Sequence, residues 1–135
     1  LGVDAPRHVA VRRRELAARY SERLSALPWM MVPQTPAGSL HNFQSYMVRL
    51  RDDAPISRDD LMQELLDRGV SSRRGIMAIH REAPYCSGPW DAQLPVTNHV
   101  TDSALVLPLF HEMTGQDLDY VCDCIETISS ETLKP

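Results

Sequence analysis

Ser71-Ser72-Arg73-Arg74-Gly75-Ile76-Met77-Ala78-Ile79-His80-Arg81-Glu82 is the stretch from which the rest of the chain can be read. Residues 75–81 alternate as a strand does, with Met77 and Ile79 on one face and Ile76, Ala78 and His80 on the other. Three arginines and a histidine flank or end this short apolar run. Arginine's planar fork suits phosphate or carboxylate oxygens better than lysine's point charge does. Two readings of the segment stand side by side: an anion-binding edge, or surface charge around a buried strand.

Working outward toward the N-terminus, Leu61, Met62, Leu65 and Leu66 mark a helix. Ser57 and Asp60 form a capping-box-like start, and Gly69 ends the helix because glycine enters the left-handed region cheaply. Residues 41–50 read as a first strand, with Tyr46, Val48 and Leu50 opposite Phe43, Ser45 and Met47. Both faces are moderately apolar, which predicts cover on both sides. Pro28, Pro33, Pro36 and Gly38 make residues 28–40 a connector. Before it, Val9, Leu16, Tyr20, Leu24 and Leu27 give residues 6–27 one helical stripe, with arginines on the other faces.

Toward the C-terminus, residues 82–96 hold Pro84, Gly88, Pro89 and Pro95 and form a long loop of the kind kept for function or for covering a partner. Tyr85, Cys86 and Trp90 lie in it. Residues 97–103 read as a short helix and 105–110 as a third strand, which Pro108 assigns to an edge. Thr114 and Asp117 repeat the capping pattern before a last helix with Leu118, Val121, Cys122, Ile125 and Ile128 inward. The elements add up to a single α/β domain over residues 1–135, a small αβ sandwich on a sheet of about three strands with flanking helices.

Composition narrows the function classes. The chain has 135 residues, 14 basic against 18 acidic side chains, a formal charge of -4, and 43% hydrophobic residues. A chain of this length buries roughly two-thirds of its unfolded surface, so neither disulfide nor structural metal is needed. No apolar stretch approaches the roughly 18 residues of a membrane helix. The N-terminus lacks both a Met and a basic-then-apolar leader, which predicts a cytoplasmic chain and points to an excised piece. Three cysteines, an odd number, read as free structural thiols, with Cys122 and Cys124 on different sides of their helix.

Common chemistries drop out in turn. The six glycines are scattered, so there is no phosphate loop, and no nucleophile elbow is present. Five histidines show no metal spacing, and no metal is expected. Arg12, Arg13 and Arg14 spread around a helix without aromatic platforms in an acidic chain, so no nucleic acid is expected either. The only lysine is Lys134, next to the C-terminus, a poor place for an amine that must be held and desolvated to form an imine.

The run RRGIMAIHR at 73–81, Pro84-Tyr85, LPVT at 94–97, LVLPLF at 105–110, Met113-Thr114 and residues 117–125 together resemble the C-terminal domain of the DegT/DnrJ/StrS family of sugar aminotransferases. RRELAARY at 13–20, Ser45-Tyr46 with Val48, and RDDLM at 58–62 continue the resemblance in order. It implies the small-domain fold of aspartate-aminotransferase-type enzymes. It also implies pyridoxal-phosphate (PLP)-dependent transfer of an amino group, commonly from glutamate, to a keto group on a nucleotide-linked deoxysugar. In such enzymes a large N-terminal domain supplies the lysine and most cofactor contacts. That domain is absent here, so the fragment is expected to hold no PLP and to be inactive alone, its catalytic residues lying elsewhere.

The same resemblance implies substrate contacts at His80, Arg81 and Arg74, then Arg73 and Tyr85. Arg81 departs from the aromatic residue that often follows this histidine, which favours diphosphate or sugar-hydroxyl contact there. The implied parent is a homodimer. An exposed domain face is expected to drive self-association through some of Trp29, Met30, Met31, Val32 and Trp90. The rival reading is a stand-alone binding or interaction module that takes an anion or nucleotide sugar without chemistry.

Overall fold

A computed structural model describes residues 4–133; Lys134 lies outside the described residues. Helix α1 (Asp4–Leu24) is followed by β1 (Met30–Met31), β2 (Tyr46–Leu50), α2 (Arg58–Asp67) and β3 (Arg73–Arg74). A 3₁₀ turn (Ile79–Arg81), α3 (Trp90–Gln93), α4 (Pro95–Ser103), β4 (Ala104–Leu107) and α5 (Gly115–Thr132) complete the chain. The strands form one antiparallel sheet in the order β1-β2-β4-β3. Four strands stand where about three were expected. The addition is β1, two residues inside the proline-rich connector and too short to show any period.

Two more expectations are corrected. The strand expected over 75–81 pairs only at Arg73 and Arg74, opposite Val106 and Leu105. Gly75 still donates its N–H to the Ala104 carbonyl at 3.1 Å. Beyond that point the neighbouring chain is α4, which offers no ladder, so residues 76–78 leave the sheet. The third expected strand, β4, is central rather than at an edge. Pro108 falls just past its last paired residue, where a missing N–H costs no ladder bond.

Register decides the two faces. Tyr46 lies opposite Leu107 and Val48 opposite Leu105, and all four are buried with Leu50 beneath α1, α2 and α5. Leu16, Ala17, Tyr20 and Leu24 come from α1, Leu61 and Leu65 from α2, and Leu118, Val121, Cys122, Ile125 and Ile128 from α5. Each fully buried aliphatic side chain stabilises by about 1.5–3 kcal/mol. The helices start where their caps direct. The Ser57 hydroxyl accepts from Asp60 N–H at 3.2 Å, and Thr114 and Asp117 form a reciprocal capping box. Gly69, at φ 77°, turns the chain out of α2.

Trp29 and Met30, expected on a face toward a partner, belong to this core instead. The Trp29 indole donates to Ser129 Oγ at 3.1 Å, so its polar edge is satisfied inside the domain. Burial also pushes the Cys122 thiol up to about 12, which makes it inert, whereas Cys86 is exposed in the loop. Among the described residues no helix is long and apolar enough to cross a membrane.

Candidate functional site

The second sheet face carries Met31, Met47, Arg49, Arg73, Ala104 and Val106, by the same register. Its Arg49 end is covered by α4, where Arg49 Nη2 lies 3.4 Å from His99 Nε2. Its other end is open. Cover on both sides, expected from the apolar faces, is thus complete on one side and partial on the other.

Two clefts adjoin at the open end and share Gln44, Ser45, Arg73 and Val106. The wider, about 470 Å³, adds Pro33, His41, Asn42, Met47 and Gly75. The narrower, about 200 Å³, adds Ser71, Ser72 and the backbone turn at Leu107, Pro108 and Leu109. Gly75 forms part of the floor because nothing larger fits: a Cβ there would stand 2.6 Å from the Ala104 Cβ. Among the described residues no carboxylate lines either cleft.

The turn into β2 is tightly made. Phe43 holds φ 46°, an uncommon conformation for a residue with a side chain. Its N–H donates to His41 Nδ1 at 2.8 Å, and Gln44 N–H donates to Asn42 Oδ1 at 3.2 Å. Rings then run inward from the cleft rim: His41 to Phe43 at 4.3 Å, Phe43 to Tyr46 at 6.2 Å, Tyr46 to Tyr20 at 4.9 Å. The last pair is fixed by hydrogen bonds of Tyr46 OH with Ser21 Oγ and of Tyr20 OH to the Pro108 carbonyl. Burial pushes the Tyr46 hydroxyl up to about 12, so both rings stay neutral anchors.

The five residues singled out in the sequence occupy four places. Arg73 points into the clefts, its Nη2 donating to Ser45 Oγ at 3.2 Å. Arg74 is one residue on, so it projects from the opposite face of the sheet edge and is exposed. His80 and Arg81 sit in the 3₁₀ turn and engage α4. His80, 8% exposed, lies 2.7 Å from Asn98 Oδ1, and Arg81 makes a two-point bond to Asp102 at 2.6 and 3.2 Å. That bond holds the Asp102 carboxyl below the usual carboxylate range. Tyr85, 55% exposed, stands in the loop that follows.

Sequence reasoning missed Gln44, Ser72, Asn98 and Asp102. Asn98 and Asp102 are four apart on a helix and so share a face, a legible signal, but their partners come from the turn before. An aldehyde cofactor needs an amine for its imine, and the described residues include no lysine. The described residues therefore do not fit the covalent anchor of such a cofactor. Nor do any three of His, Cys, Asp and Glu among the described residues gather as metal ligands would.

Several solved structures share this fold. TlmJ, an aminotransferase from Streptoalloteichus hindustanus, is 28% identical, aligned over 92% of this chain and 33% of its own, with a TM-score of 0.78. DesI, solved in the presence of its TDP-sugar product, is 29% identical over 95% of this chain and 33% of its own, with a TM-score of 0.85. Spr1654 from Streptococcus pneumoniae in its apo form, at 19% identity, shares the fold over 97% of this chain and 33% of its own with a TM-score of 0.84. The sequence profile of the DegT/DnrJ/EryC1/StrS aminotransferase family matches residues 5–126, and the chain belongs to that family. It spans about a third of the length of the solved chains it matches.

Proposed function

We propose that this chain is the small domain of a PLP-dependent enzyme that moves an amino group, supplied by glutamate, onto the keto group of a nucleotide-linked deoxysugar. One observation carries the reading: the family match fills nearly the whole chain, while the solved chains it matches are about three times as long. The missing two-thirds supplies the cofactor pocket and its lysine, and the parent is a cytoplasmic homodimer whose isolated small domain is inactive.

In this reading the domain forms one wall of the substrate cleft. Arg73, Arg74 and Tyr85 offer exposed hydrogen-bonding groups to the nucleotide sugar. His80 and Arg81 carry two tasks, contact with the substrate and attachment of the loop's start to α4. The DesI structure, solved with a TDP-sugar product, supports a nucleotide-linked substrate for this relative as well.

The test has two arms. Mixed with PLP, the 135-residue chain is expected to show no lysine-dependent absorbance; a chromophore lost on Lys134→Ala overturns the division of labour between domains. The gene product detected in source cells with an antibody to this segment is expected to be far heavier than 15.2 kDa and to transaminate a keto-sugar nucleotide, with His80→Ala and Arg81→Ala raising KM. A native product of 15.2 kDa overturns the enzyme reading in favour of a binding module.

A further inference from the structure

Most arginines of the chain whose heads touch another side chain are matched to a carboxylate. Arg19 and Arg23 pair with Asp119, Arg23 also with Asp123 and Glu126, Arg58 with Asp59, and Arg68 with Glu131. Arg49, beside His99, and Arg73 differ. The Arg73 hydrogen bond goes to a neutral hydroxyl, and Arg73 lies where two clefts meet that no carboxylate among the described residues lines.

The neighbouring groups are donors as well. Ser45 Oγ accepts from Arg73, which leaves its own proton to donate. Ser72 lines the narrow cleft beside Arg73, and its Oγ, shielded from solvent, has no hydrogen-bond partner among the described residues. His41 Nδ1 accepts the Phe43 N–H, so the neutral ring carries its proton on Nε2, away from that bond. An arginine and two serines line the narrow cleft and the His41 imidazole lines the wider one beside it, with no carboxylate among the described lining residues, a setting that suits a compact oxyanion.

We propose that the narrow cleft between Ser72, Arg73 and Ser45 is a subsite for a phosphoryl group, with the wider cleft beside it seating what that phosphoryl group is attached to. The volumes agree with this division. About 200 Å³ holds a phosphoryl group and its water, and about 470 Å³ walled by Met47, Val106 and Pro33 holds a ring. The strained Phe43 turn and its ring stack keep Ser45 and Gln44 in place, which limits the ordering cost on binding. The phosphoryl source, a nucleotide-linked substrate, rests on the small-domain reading above; the oxyanion chemistry stands on the cleft alone.

The experiment titrates the ¹⁵N-labelled 135-residue chain with pyrophosphate at low salt, following the Arg73 side-chain signal and the amides of residues 44, 45 and 71–73. Saturable shifts confined to those positions are expected. Arg73→Ala should weaken binding about tenfold or more, Arg73→Lys several-fold because the fork is lost, and Ser72→Ala about threefold. Arg14→Ala, on α1, should change it by less than about twofold. Succinate, with planar rather than tetrahedral oxyanions, should bind more weakly than pyrophosphate. Shifts spread equally over the α1 arginines, an Arg73→Ala variant that titrates like the parent, or no saturable binding each overturn the subsite. Pyrophosphate bound at Arg73 by a chain whose longer form fails to transaminate supports the subsite and overturns only the enzyme reading.

Discussion

The two faces of one sheet are closed by different physics. Beneath α1, α2 and α5 the contacts are aliphatic and aromatic, and most of the side chains involved are fully buried. On the other face, α4 and the 3₁₀ turn are held to each other and to the sheet by His80 with Asn98, Arg81 with Asp102 and Arg49 with His99. There the apolar side chains point outward, as Met77, Ile79 and Val96 do. Burial on the first side sets the stability of the domain. Polar pairs on the second set geometry, at a strength that water and pH can modify.

The sharpest way to break this contrast is to hollow the closed side. Ile125→Ala, deep in α5, should cost about 2–5 kcal/mol in urea unfolding with little change in slope. A loss below about 1 kcal/mol would mean that α5 is not the main cover. Next comes Gly75→Ala, where β3 leaves the sheet. Its Cβ would meet Ala104 Cβ at 2.6 Å and the Ala104 carbonyl carbon at 3.1 Å, neither of which can swing away. A cost of about 1–3 kcal/mol is expected, with altered amide signals at residues 73–76 and 104. An unchanged melting curve would show the open face to be looser than the closed one even at its tightest point.

The smallest effect tests the clamp. Arg81 holds the Asp102 carboxyl below the ordinary value of 3.8, so folding favours the ionised form. The stability it adds is present above 3.8 and is lost as pH falls through the lower folded value. Both partners are substantially exposed, so Asp102→Asn should cost less than about 1 kcal/mol at neutral pH. It should also remove part of the acid sensitivity below pH 3.8 and speed protease cleavage in the loop over residues 82–89. Cleavage unchanged at all pH values would show that the Arg81–Asp102 pair does not hold the loop.

Legibility followed the same division. The closed side could be read because helical stripes and caps are local: Leu118 to Ile128, Ser57 with Asp60, and Thr114 with Asp117 all fell where periodicity and capping chemistry place them. Family motifs also placed the fold. The open side depends on long-range pairing. Residues 75–79 alternate as a strand would, yet β4 begins at Ala104 directly after a helix and leaves them without a ladder. β1 is two residues long, and the positive φ of Phe43 has no glycine to announce it. Arg73 was singled out with Arg74, but only the pairing register shows that they serve opposite faces.

One consequence concerns the order in which the chain is made. Arg19 meets Asp119, Arg23 meets Asp123 and Trp29 meets Ser129, each pair 100 residues apart, because the first and last helices lie side by side. Little of the closed face can be sealed by contacts between near neighbours in sequence. During synthesis the cover over Tyr46, Val48, Leu105 and Leu107 stays incomplete until α5 emerges from the ribosome. Completing this core requires closing a loop nearly as long as the domain, a non-local step of the kind that slows folding.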